Sequence, residues 1–341
     1  MTGRDIDPAE FGRKLGIMVG RDVLPQEEIP EATVIWRSTE SPRESRVEFA
    51  ELEKLGVVTR MGAGSFAVSE LLADLLERLD ARVKKIAVDR FGAESYRYPT
   101  LVSTDVLRKA GYLDAFPQFL MTASRFHSDV DAYQTFAAGF GAAEDKAEFI
   151  DACSEHSGYC LQPAVCYHAY QQLSGQTLPE GGVVVTARGK AFRFESRYHH
   201  SLERLWDFTL REIIFLGDRE TVADRRKELM EAAFELVGEL GLAGHAEVAN
   251  DPFFSNDTTA EQVMVQRVLE MKYELQLPVV EGRTIAAGSF NIHGEKFGEG
   301  FDVRLPGGGP AYSGCVAFGL ERLAYAFLCR HGVDPADWPA F

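Results

Sequence analysis

From Ser69 to Arg90 apolar side chains recur at Leu72, Leu75, Leu76, Leu79, Val83 and Ile86, the three-to-four spacing of one helix face. Gly92 follows as a stop. The chain then enters Tyr96-Arg97-Tyr98-Pro99-Thr100-Leu101-Val102, short, aromatic and β-branched, with a proline that suits an edge or the end of a strand. A helix leading into an edge strand can build a dimer seam, and the same pattern also fits an ordinary surface helix and strand. Further along, Gly182-Val183-Val184-Val185, Ala191 to Arg197 and Phe208 to Leu216 read as strands joined by short polar connections. Without regular crossover helices, that order argues for an antiparallel sheet rather than a doubly wound parallel one. Asp218 is placed to cap a helix over Val222 to Leu240, and Gly241 to end it. A helix over about Ala260 to Leu275 is expected next, then strands near Thr284 to Ile292, Gly300 to Arg304 and Ser313 to Phe318. Gly319 to Cys329 reads as a helix with Leu320, Leu323, Ala324 and Phe327 inward. The fold class is therefore α+β.

Residues 1–68 mix short apolar runs with Pro25, Pro30 and Pro42 and read as an N-terminal extension of no legible role, ahead of one large domain over 69–341. The 341 residues carry a net charge of -16, a field that repels phosphate backbones at long range and disfavours extensive nucleic-acid binding. No run approaches the ~20 apolar residues of a membrane span, and the polar, acidic start is unlike a signal peptide. A cytoplasmic protein with no membrane partner is expected. Cys153, Cys160, Cys166, Cys315 and Cys329 are an odd number at irregular spacing, which fits reduced thiols or metal ligands better than a disulfide framework.

Two stretches concentrate chemistry. In Phe192-Arg193-Phe194-Glu195-Ser196-Arg197 a strand's alternation sends the phenylalanines to one face and the charges to the other. After a loop with His199, His200, Glu203 and Arg204, the chain returns through Phe208 to Ile214, with Phe208 and Glu212 on a common face. Arginine on a rigid strand can hold a phosphate oxygen and a neighbouring aromatic can stack on a base; a solvated strand face has the same pattern. The second stretch, Gly314 to Leu323, runs a strand through Gly319 into a helix that opens with Glu321 and Arg322, near the positive helix end.

In order and separation these segments resemble class II aminoacyl-tRNA synthetases over about Ser69 to Arg330. The helix with the strand ending near Pro99 is similar to that family's dimer-interface motif. Phe192-Arg193-Phe194-Glu195, its loop and Phe208 resemble the second motif, and Gly319-Leu320-Glu321-Arg322 the third. Among these enzymes the chain is most like the zinc-dependent, methanogen-type seryl-tRNA synthetases. Cys166, Glu212 and Cys315 fall where that type carries its zinc ligands, and a set of two thiolates and one carboxylate suits Zn²⁺ with one position left open. On the sequence alone Cys166 and Cys315 read equally as core thiols, which is also the reading of Cys153, Cys160 and Cys329.

The resemblance implies a homodimer and further roles. Arg193 would contact the α-phosphate of ATP and Arg322 a distal phosphate. Glu195 and the Arg204-Leu205 backbone would hold the adenine end, with Phe208 stacked on the ring. Ala286, Ala287, Gly288 and Ser289 would approach the ribose and phosphates, and Lys272 is a further phosphate contact. Ser289 and Asn291 would line the amino-acid pocket. Mg²⁺ would bridge the phosphates, with Glu321 or a neighbouring carboxylate nearby. The extended tRNA-gripping domain of seryl-tRNA synthetases has no counterpart in residues 1–68, which lack sustained heptads or a basic stripe. The chain is thus similar to the truncated homologues known as amino acid:carrier protein ligases, as are Asn250 to Phe254 and Glu281 to Phe301. The implied function is ATP-dependent activation of a small amino acid, glycine or alanine, and its transfer to the phosphopantetheine thiol of a carrier protein. Arg267 and Lys272 would present positive charge to that carrier, and tRNA is not expected as a partner. A seryl-type tRNA synthetase and an inactive paralogue remain the alternatives.

Overall fold

The alternating segments pair into one eight-stranded sheet, seen in a computed structural model that describes residues 33–195, 200–249, 271–280 and 282–341, with 12, 13 and 16. Its strands are β1 (Val34–Arg37), β2 (Glu94–Tyr96), β3 (Val183–Phe192), β4 (Asp207–Gly217), β5 (His245–Val248), β6 (Lys272–Pro278), β7 (Thr284–Gly294) and β8 (Tyr312–Gly319). The spatial order is β1-β5-β6-β7-β8-β4-β3-β2. Neighbours run antiparallel except at the edge, where β2 lies parallel to β3.

Register decides which side chains share a face. Cys315 pairs with Ile214 and Ala317 with Glu212, while Asn291 pairs with Cys315 and Ser289 with Ala317. Phe208, Glu212, Cys315, Asn291 and Ser289 therefore project from one face. The opposite face presents Ile213, Phe215, Phe290, Val316 and Phe318 to the main core. That core is completed by α1 (Glu70–Phe91), α3 (Arg219–Glu239) and α5 (Leu320–His331). The front face packs on α2 (Cys166–Gln172) and α4 (Lys296–Phe301) around a second cluster that contains both Cys166 and Cys315.

The expected helix faces are present. Leu72, Leu75, Leu79, Val83 and Ile86 are buried in α1, which Gly92 closes at φ 63°. Asp218 caps α3, its carboxylate accepting from the Thr221 N–H at 2.7 Å. Residues 33–68, read from the sequence as an extension, feed the main sheet and core: β1 pairs with β5, and Val47, Leu52, Val57 and Val58 are buried with α1.

Four expectations change. The strand expected over Ala191 to Arg197 stops at Phe192, because the next donors turn away: Arg193 N–H bonds to Trp206 O and Phe194 N–H to Phe119 O. Phe194 is consequently 45% exposed rather than packed beside Phe192. The run Tyr96 to Val102 splits around Pro99 into β2 and Leu101–Ser103, which joins a separate three-stranded sheet with Ser154–Leu161 and Thr122–Phe126. Of the helix expected over 260–275, residues 260–270 lie outside the described residues, and Lys272 to Leu275 begin β6, where Tyr273, Leu275 and Leu277 bury alternately. The strand expected over Gly300 to Arg304 is replaced by the end of α4, since Phe297 and Phe301, one helical turn apart, both bury.

Candidate active site

Three side chains far apart in sequence meet on the front face. Cys166 opens α2, Glu212 sits mid-strand in β4 and Cys315 mid-strand in β8, and all three are buried. Cys166 lies close enough to Cys315 and Glu212 for both to act on its thiol. The Cys315 sulfur also accepts from Asn291 Nδ2 at 3.4 Å and faces His293 Nε2 at 3.8 Å. The Cys166 thiol, with support from His293 and Asn291, holds the Cys315 thiol well below its ordinary pKa against the effect of burial. Cys315 in turn, together with burial, drives Cys166 upward. Burial and the Cys315 charge push the Glu212 carboxyl up to about 7, opposed by the Val165 N–H that Oε1 accepts at 3.2 Å.

Among the described residues no three or more His, Cys, Asp and Glu side chains are grouped so as to hold a metal ion, although Cys166, Glu212 and Cys315 influence one another directly. Glu212 Oε2 and Asn291 Oδ1 are nevertheless buried without a hydrogen-bond partner. Buried acceptors in that state are costly. Two sulfurs, a carboxylate and an unmet buried carboxylate oxygen are a donor set that suits Zn²⁺.

The nucleotide-type residues lie at the other end of β4. Phe208 and Glu212, four residues apart on one face, are separated by about 13 Å along the strand. Arg193 stands over the Phe208 ring at 5.4 Å from its centroid and bonds to Pro163 O through Nε at 3.1 Å. Arg322 donates to Glu203 O at 2.6 Å and to Ala286 O at 3.0 Å. Burial first, then the nearby charges of Arg204 and Arg193, hold its guanidinium below the ordinary pKa, while Glu274 and Glu195 counter them. Three guanidinium groups gathered this way form a site for anionic oxygens. Arg204 pairs with Glu195 at 3.3 Å, and the Glu195 carbonyl accepts from Trp206 Nε1. The Leu205 side chain is buried in the main core, which leaves its backbone for any ligand.

Other expected residues are placed as follows. Lys272 heads β6 opposite Asn291 and pairs with Glu274 at 2.7 Å. Ala286 to Ser289 lie on β7, with the Ser289 hydroxyl accepting from Asn291 Nδ2 at 3.1 Å. Glu321 does not extend into open space: its two oxygens accept the Thr209 N–H and hydroxyl. Arg267, His199 and Asn250 to Phe254 lie outside the described residues, and His200 contributes a backbone carbonyl to Arg60. A cleft of about 590 Å³ lined by Arg37, Glu40, Arg43, His245 and Thr284 involves none of the expected site residues.

The sequence reading passed over several neighbours of the site. Tyr167, partly buried, lies within the fields of Cys166, Arg193 and Glu212, and buried Tyr112 within those of Arg193 and Glu195, so both span the two ends. Tyr170 and His293 join beside the cysteines at 3.1 Å. The available signals were Tyr170 following Cys166 by one helical turn and His293 falling within the family-like stretch Glu281 to Phe301.

No protein-family model matches the chain. Amino acid–[acyl-carrier-protein] ligase 1 of Bradyrhizobium diazoefficiens is 33% identical over 279 residues, covering 81% of this chain and 83% of that protein. The type-2 serine–tRNA ligase of Methanococcus aeolicus is 28% identical over 297 residues, 85% of this chain but 57% of that enzyme. Among solved structures, M. kandleri seryl-tRNA synthetase in complex with A. aeolicus tRNASec superimposes with a TM-score of 0.78 at 23% identity, covering 99% of this chain and 69% of that one, which makes the architecture that of a class II synthetase. On the strength of the first of these similarities, the chain belongs to the amino acid–[acyl-carrier-protein] ligase family.

Proposed function

We propose that the protein activates a small amino acid, glycine or alanine, with ATP and passes it to the phosphopantetheine thiol of a carrier protein. In the first step an amino-acid carboxylate oxygen attacks the α-phosphorus, the bond to the bridging oxygen breaks, and pyrophosphate leaves. In the second the thiol sulfur attacks the acyl carbon of the adenylate, AMP departs and a thioester remains. The convergence of Cys166, Glu212 and Cys315 on the face that also carries Phe208 and the arginine group supports this reading above all.

Cys166, Glu212 and Cys315 would hold Zn²⁺, which when bound supplies an open position for the substrate's α-amino group and thereby aligns its carboxylate. Asn291 and Ser289, already hydrogen-bonded beside Cys315, line the amino-acid end in this reading. Buried Tyr170 and partly buried Tyr167, packed around the cysteines, favour a substrate with little side chain. Arg193 meets charge building on the α-phosphate and Arg322 the departing pyrophosphate, each acting by a fixed position rather than by proton transfer. Phe208 stacks on adenine, which Glu195 and the Arg204-Leu205 backbone hold, while Ala286 to Ser289 and Lys272 flank the ribose and phosphates. Mg²⁺ enters with ATP; Glu321, tied to Thr209, is not offered as its ligand. In this reading α1 and β2 form the seam of a homodimer.

The test is amino-acid-dependent exchange of pyrophosphate into ATP across the standard amino acids, with metal content measured on the same sample. Wild-type protein is expected to exchange with a small amino acid and to carry zinc, and Cys166→Ala to lose both. Full activity in that variant removes the zinc role. Incubation with tRNA and with a phosphopantetheinylated carrier in parallel should label the carrier only; labelled tRNA would favour the synthetase alternative.

A further inference from the structure

The Cys315 sulfur is not held by the other two expected ligands alone. His293, near the end of β7 and 5% exposed, turns Nε2 toward Cys315 Sγ at 3.8 Å and Nδ1 toward the Tyr170 hydroxyl at 3.1 Å. Tyr170 is fully buried and lies one turn beyond Cys166 in α2. Both rings are fixed by Phe297: Tyr170 stacks on it with centroids 4.3 Å apart, and His293 meets it edge-on at 4.8 Å. The helix that carries one cysteine is thereby strapped to the sulfur of the other through Tyr170 and His293.

The geometry bears on the tautomer. When the Tyr170 hydroxyl donates to Nδ1, the ring proton sits on Nε2, facing sulfur. A sulfur already accepting from Asn291 is then met by a further N–H donor rather than by a lone pair, which would repel it. N–H donors to a ligand sulfur set its orientation and charge, and removing such a partner typically costs about 10–100-fold in metal affinity.

We infer that His293, oriented by Tyr170, is a positioning residue that holds the Cys315 sulfur for metal binding. The inference rests on the zinc reading of the cysteine pair and goes beyond it by adding a residue that does not itself coordinate the ion. Zn²⁺ affinity measured on the full-length protein by competition with a chromophoric chelator tests it without reference to catalysis. His293→Phe keeps an aromatic ring against Phe297 and removes the donor; about 10–100-fold weaker zinc binding is expected. His293→Gln returns an N–H near the Nε2 position and should recover most of that loss. Tyr170→Phe leaves packing intact, frees the ring and should weaken binding by a smaller factor, so that it carries the test should His293→Phe fail to fold. Unchanged affinity in both His293→Phe and Tyr170→Phe overturns the inference while leaving the zinc site standing. A wild-type protein that binds no zinc overturns the zinc reading itself. Substituted Co²⁺ decides the remaining case: a spectrum that keeps two thiolate charge-transfer bands and an unchanged donor set in His293→Phe supports positioning, whereas loss of a nitrogen donor makes His293 a ligand and overturns it.

Discussion

Asp80→Ala should destabilise the fold by breaking a buried ion pair with Arg211, the strand neighbour of Glu212. Asp80, on α1, receives both Nε and Nη2 of Arg211 at 2.6 and 2.8 Å, and the two residues are 6% and 4% exposed. Removing the carboxylate leaves a buried guanidinium with only the Thr186 hydroxyl at 3.5 Å among its described hydrogen bonds. Breaking a buried, hydrogen-bonded pair from one side typically costs about 3–5 kcal/mol. With about 2.1 cal/mol/K of unfolding entropy per residue, a chain of 341 residues gains roughly 0.7 kcal/mol/K, so a loss of about 4 kcal/mol lowers the melting midpoint by roughly 6 °C. The reverse truncation should be milder, because Asp80 keeps Arg188 at 3.3 Å. The double variant Asp80→Ala/Arg211→Met should recover much of the loss, since apolar side chains of similar volume often replace buried ion pairs at little cost. Calorimetry of the three variants decides the matter. A midpoint for Asp80→Ala within 1 °C of wild type, or a double variant less stable than both singles, would refute the reasoning.

Two further outcomes follow from single side chains. Arg322→Lys keeps the charge but cannot reproduce the planar fork that binds two backbone carbonyls; amino-acid-dependent pyrophosphate exchange should fall by roughly 10²–10³-fold in kcat, and wild-type exchange rates would remove Arg322 from the reaction. Lys296 is pushed down to about 8 from its ordinary value near 10.5, chiefly by burial. Between these values the unfolded chain binds more protons, so stability rises with pH across the window and the penalty is fully present below pH 8. Lys296→Met should therefore be more stable than wild type at pH 7 by about 1–2 kcal/mol after allowing for partial exposure. That advantage should vanish near pH 10.5 in urea titrations, and a pH-independent difference would argue against the assignment.

Much of this architecture was legible because its signals are local. The α1 stripe, its Gly92 stop, the Asp218 cap and the antiparallel return from β3 to β4 each depend on residues within a few positions of one another. The errors share a different cause. Arg193 to Glu195 alternate like a strand, yet distant carbonyls of Phe119 and Trp206 take their donors. Around residue 300 the turn-spaced pair Phe297 and Phe301 outweighed the strand-like pattern nearby. For the site, the family pattern singled out Cys166, Glu212 and Cys315, and the β4–β8 register explains why Glu212 and Cys315 lie on one face. His293 stands in the sequence only as part of the family-like stretch Glu281 to Phe301 and Tyr170 only as one turn after Cys166; their pairing is defined once β7 and α2 pack against each other.

β4 shows how a strand anchored from behind fixes which side chains face forward. Alternate residues serve opposite faces: Phe208 and Glu212 point forward, and Thr209 and Arg211 backward. Each backward residue is tied to a different helix, Thr209 to Glu321 at the start of α5 and Arg211 to Asp80 in α1. A slip of one residue would turn Glu212 into the helix-packed core and bring Arg211 among the cysteines. Apolar anchors would tolerate such a slip, because one aliphatic side chain packs much like another. A bidentate ion pair and a carboxylate bound to a backbone N–H do not, since a displaced partner leaves buried charge unpaired. The polar groups on the back face thus contribute register more than stability, and register brings Glu212 level with Cys315.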